Sequence, residues 1–194
     1  MISNQEYIRK FIHLSNMIIP ISYLFLFDQK IYLLYTLFFL SILFVIIDLC
    51  RNRFFVLKKF FQYFFNDMMR KHELNGDLTG ATWVMIASFL TVLVFPKYIA
   101  ILALIFMSIG DTTAGLIGQR FGKFYIVGKK TWEGFFAGLF ACFIVIYFYN
   151  YLPLSISIVG AIFAMIFEII PIGIDDNIKI PISSASIMLV MQSQ

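Results

Sequence analysis

Charged side chains are scarce in this sequence. Asp, Glu, Lys and Arg supply 13% of its 194 residues, against about 25% in an average soluble domain. Hydrophobic residues supply 61%, and Phe alone numbers 24. A soluble fold of this length has too little interior for so much apolar side chain, so an ordinary soluble globule is excluded. Cysteine is nearly absent as well. Cys50 and Cys142 lie far apart and fit neither a disulfide framework nor a Cys-x-x-Cys zinc site. Missing too is the polar–apolar alternation of a membrane barrel: Leu37-Phe38-Phe39-Leu40 and Leu43-Phe44-Val45-Ile46-Ile47 do not alternate.

The sequence instead carries long apolar runs at 11–27, 31–49, 81–95, 98–109, 134–152 and 154–172, and a shorter one at 180–191. At about 20 apolar residues per crossing, they predict an all-α integral membrane protein. The expected architecture is a bundle of six to seven transmembrane helices in one membrane-embedded domain, 1–194. The first run follows Arg9-Lys10 and no small-x-small pattern closes it, so it reads as a retained helix rather than a signal peptide. Pro96-Lys97 predicts a tight turn between the third and fourth runs. Over 51–66, Phe54, Phe55, Leu57, Phe60, Phe61, Phe64 and Phe65 alternate with Lys58, Lys59 and Gln62. That pattern predicts an amphipathic helix in the headgroup plane, serving as a plain anchor or as a rim that guides a lipid.

Basic residues divide by side. Arg9 and Lys10 precede the first run; Arg51, Arg53, Lys58, Lys59, Arg70 and Lys71 follow the second; Arg120, Lys123, Lys129 and Lys130 follow the fourth. Only Lys30 and Lys97 fall in the alternate connections, so the N-terminus and the basic loops are expected to be cytoplasmic. All the carboxylates except Asp28 gather on the same side, Glu6, Asp48, Asp67 and Asp77 among them. Charges of both signs on one face suit a metal and phosphate together better than nucleic acid.

Three stretches carry candidate chemistry. In 110–123 an apolar run meets Asp111, Thr112, four glycines, Arg120 and Lys123. Gly110, Gly118 and Gly122 would let backbone N–H groups approach phosphate oxygens, with Arg120 and Lys123 neutralising them and Asp111 holding Mg²⁺. The plainer alternative is a helix end, a Gly-rich loop and snorkelling cations. The stretch lacks the Walker A spacing. In 128–134, Lys129 and Lys130 suit a polyphosphate, whereas Thr131 suits a helix cap and Gly134 and Gly138 suit close helix packing. In 168–181, Glu168 interrupts an apolar run, and Asp175-Asp176-Asn177 offers hard oxygen ligands for Mg²⁺ or else a solvated turn. Glu73, beside the turn-rich Asn75-Gly76-Asp77-Leu78-Thr79-Gly80, adds a further carboxylate. His13, one helical turn beyond Arg9, is a weaker catalytic candidate.

Taken in order, Arg9-Lys10-x-x-His13, Glu73 with Leu78-Thr79-Gly80, Gly110-Asp111-x-x-Ala114 through Gly122-Lys123, and Glu168 with Asp175-Asp176-Asn177 and Pro181 resemble the CTP-dependent lipid kinases. That family includes dolichol (polyprenol) kinase, phytol kinase and the yeast-type diacylglycerol kinase. The resemblance implies transfer of the γ-phosphoryl of CTP to the hydroxyl of a membrane lipid alcohol, with Mg²⁺ as cofactor. On it, Asp111, Asp175 and Asp176 would be metal or catalytic carboxylates. Gly110, Thr112, Gly118, Arg120, Gly122, Lys123, Lys129 and Lys130 would surround the nucleotide phosphates, and Glu73 and Glu168 would organise the site. Lys129-Lys130-Thr131-Trp132-Glu133-Gly134-Phe135 is closer to the lysine-rich stretch of the phosphatidate cytidylyltransferases, which act on a lipid phosphate. Their long C-terminal signature has no counterpart after Pro181, so the kinase is preferred. A transporter or assembly subunit is the non-enzymatic alternative, but transporters usually place polar groups near the bilayer midplane.

Overall fold

In the computed structural model, which describes residues 4–65, 69, 71–74 and 76–194, the chain is helical almost throughout. Asn66, Asp67, Arg70 and Asn75 lie outside the described residues. Helices α1 (Asn4–Ser15), α2 (Ile18–Phe25), α3 (Lys30–Arg53), α4 (Phe55–Phe65), α5 (Lys71–Leu74) and α6 (Gly80–Val94) come first. Next are α7 (Lys97–Ile105), a π turn (Phe106–Gly110) and α8 (Asp111–Phe121), which run on without a break. A short hairpin of β1 (Tyr125–Val127) and β2 (Lys130–Thr131) leads to α9 (Trp132–Phe148), α10 (Leu154–Ile169) and α11 (Asp176–Gln192).

Among the described residues, two helical runs are long and apolar enough to cross a membrane, Lys30–Arg51 and Lys97–Phe121; Gly80–Val94, Trp132–Phe148 and Leu154–Ile169 are shorter apolar helices. The all-α class expected from the sequence is therefore observed. Helix α7 is apolar on every side, and Ile99 to Ile105 are all buried, as a helix without a polar face must be. It packs against α2, α6, α10 and α11 and forms the axis of the molecule. By contrast, α3 and α9 present Tyr32, Tyr35, Phe39, Phe136, Phe140 and Tyr147 outward.

Three expected boundaries move, each for a physical reason. The run at 11–27 is two helices, because Pro20 cannot donate to the Asn16 carbonyl and its ring crowds that position; α2, with 8 residues, does not span a bilayer by itself. The segment after Ile109 is helix rather than a Gly-rich loop. Its small residues, Gly110, Ala114, Gly118 and Gly122, recur every fourth position and meet Gly134 and Gly138 of α9. A Cβ on Gly134 would stand 2.7 Å from the Ala114 carbonyl oxygen, and one on Gly138 2.9 Å from that of Gly110, so the two backbones touch as small-x-x-x-small pairs do. The last run begins earlier than expected, at Asp176, because Asp175 accepts from the Asn177 N–H at 2.9 Å and caps α11. Thr131 caps α9 in the same way, accepting from the Gly134 N–H at 3.2 Å.

The charges divide between the two ends of the bundle. At one end Lys30 donates to the carbonyls of Leu93 and Phe95, and Lys97 to that of Phe27, neutralising helix C-termini. The α7–α8 run rises about 21 Å from Lys97 before it reaches Asp111.

Candidate functional site

Asp111 opens α8 directly after the π turn, Glu168 closes α10 and Asp176 opens α11. These three chain-distant carboxylates each place one oxygen within 4.8 Å of the others. Three ammonium groups interleave them. Lys130, at the end of the hairpin, bonds Glu168 and also donates to Asp176 at 3.0 Å. Lys10 of α1 donates to the Asp111 carboxylate at 2.7 Å and to its carbonyl at 3.1 Å. Lys179, one turn along α11, reaches the other Asp176 oxygen at 2.8 Å and donates to the Ile170 carbonyl at 2.6 Å. His13 stands 3.5 Å from Asp111 and 3.3 Å from the Met107 carbonyl of the π turn.

Burial makes this arrangement costly unless every charge is matched. Glu168 is 3% exposed, Lys10 7% and Lys179 8%. Burial alone would lower the Lys130 pKa, but the carboxylates of Glu168, Asp176 and Asp111 outweigh it and hold the pKa above the usual lysine range. Lys130 is therefore a firm cation, and its ammonium sits where it touches two carboxylates at once. The donor set consists of hard carboxylate oxygens converging from three helices, which fits Mg²⁺.

The other expected site residues fall elsewhere. Glu73 accepts the Gly80 N–H at 3.0 Å, and Asp175 accepts from the Asn177 N–H and side-chain amide; neither is among the three converging carboxylates. Gly110, Gly118 and Gly122 lie at close approaches: Gly110 to Cys142 and Met165, Gly118 and Gly122 to Thr131. Thr112 is buried. Arg120, Lys123 and Lys129 are exposed, Arg120 over the Phe121 ring and Lys123 with its backbone N–H on Glu133 at 2.9 Å. The hairpin turns at Gly128, whose φ of 58° favours glycine.

Sequence reasoning missed the pairing partners. Lys10 stood there as a topology marker and a member of the Arg9-Lys10-x-x-His13 motif, not as a partner of Asp111, and Lys179 was not singled out, although Asp176-x-x-Lys179 has the spacing of facing residues on a helix. It also passed over Asp48, 3% exposed. The Asp48 carboxylate accepts from the Thr79 N–H at 2.7 Å, the Thr79 hydroxyl at 3.0 Å and the Thr82 hydroxyl at 2.6 Å. Arg51 stands 3.8 Å from it and donates to the carbonyls of Glu73 and Asp77. This hub fastens the end of α3 to the start of α6. Beside it opens a cleft of about 690 Å³, bordered by Leu49, Asp77, Trp83, Gly173 and Asp175.

Known proteins supply an independent comparison. No family model matches the chain, and no solved structure matches it. The uncharacterized protein RP860 of Rickettsia prowazekii is 32% identical over 184 residues, covering 90% of this chain and 89% of its own. The chain belongs to the same family as RP860. Two further relatives carry functional names. CTP-dependent diacylglycerol kinase 1 of Schizosaccharomyces pombe is 27% identical over 62% of this chain, and a probable chloroplastic phytol kinase of Triticum aestivum is 29% identical over 59%. The chain spans 63% of the length of the yeast kinase and 45% of that of the wheat protein. At this level the family's resemblance to CTP-dependent lipid kinases, expected from the motifs, is supported by the similarity of both.

Proposed function

We propose that the protein is a membrane-embedded, CTP-dependent lipid kinase that transfers the γ-phosphoryl group of CTP to the hydroxyl of a membrane lipid alcohol, such as a polyprenol, phytol or a diacylglycerol. The observation that carries this reading is the convergence of Asp111, Glu168 and Asp176 with Lys10, Lys130 and Lys179 at one end of an apolar bundle. Phosphoryl transfer asks a protein mainly for positioning and charge neutralisation. In this reading α3, the Lys97–Phe121 run and the shorter apolar helices cross the bilayer, and the N-terminus and the cluster face the cytoplasm.

Asp111 and Asp176 would hold Mg²⁺, with Asp175 beside them. The ion would supply charge neutralisation on the nucleotide phosphates. Lys130, with Lys123, Lys129 and Arg120 on the exposed hairpin side, binds and orients the polyphosphate. Asp176, the most exposed of the three carboxylates at 28%, accepts the proton of the acceptor hydroxyl. The hydroxyl oxygen bonds the γ-phosphorus, the bond to the bridging oxygen breaks, and CDP leaves. Glu168 and Glu73 act as positioning residues, Glu168 by fixing Lys130 and Glu73 by fixing the start of α6.

The test incubates purified protein with CTP, Mg²⁺ and a panel of lipid alcohols and phosphatidate. CDP plus a phosphorylated alcohol is expected, and it should disappear in a folded Asp111→Asn protein. Pyrophosphate plus a CDP-lipid, or no product across the panel, would overturn the assignment.

A further inference from the structure

Helices α10 and α11 pack side by side, and their outer side carries a groove of about 470 Å³, within the range of about 300–1,000 Å³ typical of small-molecule sites. Phe163 and Phe167 of α10 form one wall, their rings stacked 6.4 Å apart. Ile178, Ile182, Ile187 and Val190 of α11 form the other. Ser183 also lines the groove, but its hydroxyl turns back to the Ile180 carbonyl at 3.1 Å and makes no demand on an occupant. Lys179 is the charged residue of the lining. It stands at the head of the groove, where its ammonium joins Asp176 at 2.8 Å.

Polarity therefore changes in one direction. From Ile178 to Val190 the groove runs about 18 Å at the helical rise, close to half of a hydrocarbon core of about 30 Å. The lining is apolar along this length, and its Lys179 end adjoins the Asp176 carboxylate of the cluster, so an occupant with an apolar chain and one polar end is matched at both ends.

We propose that this groove seats the hydrocarbon chain of the lipid acceptor, one leaflet deep, and presents its hydroxyl to Asp176. The proposal rests on the kinase reading above. Lys179 is the positioning residue at this end: it lines the groove while its ammonium is held by Asp176 and the Ile170 carbonyl.

The test fills the groove at Ser186, an exposed lining residue outside the catalytic cluster. Ser186→Phe should lower kcat/KM for phytol by roughly tenfold for every two methylenes displaced, with geraniol and the KM for CTP unchanged. Equal losses for phytol and geraniol, or no change for either, would overturn the proposal. Independently of turnover, a long-chain alcohol bearing a diazirine, photolysed on the unmodified full chain in vesicles, should label 163–167 and 178–190. Even labelling of the outer faces of α3 and α9, or a cross-link to a second copy, would overturn it. If the unmodified protein phosphorylates no alcohol, the kinase reading fails, and the labelling pattern alone decides the groove.

Discussion

Replacing Lys130 with Met keeps the side-chain stem and removes the ammonium that Glu168 and Asp176 share. Glu168 is 3% exposed and would be left as a buried carboxylate without that partner. Breaking a buried pair in this way costs about 3–5 kcal/mol, but Lys130 is 33% and Asp176 28% exposed, so water screens part of the interaction. The net loss is then about 2–3 kcal/mol, below the figure for a fully buried pair. For a chain of this size each kcal/mol moves Tm by about 2–4 °C, which puts the drop at roughly 4–12 °C by thermal unfolding in detergent. Adding Glu168→Gln removes the uncompensated charge and should restore about half of the loss, a coupling that a double-mutant cycle reads directly. Millimolar Mg²⁺ should raise the Tm of Lys130→Met more than that of the parent, because one of the three competing ammonium groups is then gone. A Lys130→Met protein with the parental Tm, or a double variant no more stable than the single, would refute the charge-matching reasoning.

Other outcomes follow from the same geometry. Gly134→Leu drives a Cβ to 2.7 Å from the Ala114 carbonyl oxygen and 3.2 Å from the Gly118 Cα; backbone cannot swing aside, so about 1–3 kcal/mol of stability should be lost by denaturant titration. Asp48→Ala strands the Thr79 N–H, takes the acceptor from the Thr82 hydroxyl and removes the carboxylate facing the buried Arg51; it should cost about 3–5 kcal/mol, with Asp48→Asn recovering part because its amide oxygen still accepts. The Lys130 pKa is raised in the folded protein. Its contribution to stability is therefore fully present below the ordinary lysine pKa of about 10.4 and is lost only as pH rises past the still higher folded value. A Tm profile that is flat in this contribution from neutral to mildly alkaline pH checks the sign.

The helices were legible because lipid-like apolar runs leave few other options, and Pro96 marked one of the breaks. Pro20 was equally visible, but the surrounding apolar residues masked its effect. Gly110, Gly118 and Gly122 read as a phosphate loop when counted as glycines, and as one face of a helix when their spacing of four is set against Gly134 and Gly138. Asp111, Glu168 and Asp176 stood out as carboxylates at the edges of apolar runs, where charge needs a reason. Their partners did not: Lys10 meets Asp111 across 101 positions, a distance that no local pattern encodes. Glu73 and Asp175 looked alike in sequence, yet the backbone N–H groups of Gly80 and Asn177 occupy them.

The central claim is that the Asp111–Glu168–Asp176 cluster moves a phosphoryl group and not a nucleotidyl group. It is tested most directly by supplying the purified protein, in lipid vesicles containing an acceptor alcohol, with CTP labelled either in the γ- or in the α-phosphate, and following the label into the lipid fraction. The account predicts lipid label from γ-labelled CTP alone, abolished by Asp111→Asn. Lipid label from α-labelled CTP, or lipid label that survives the substitution, would contradict it.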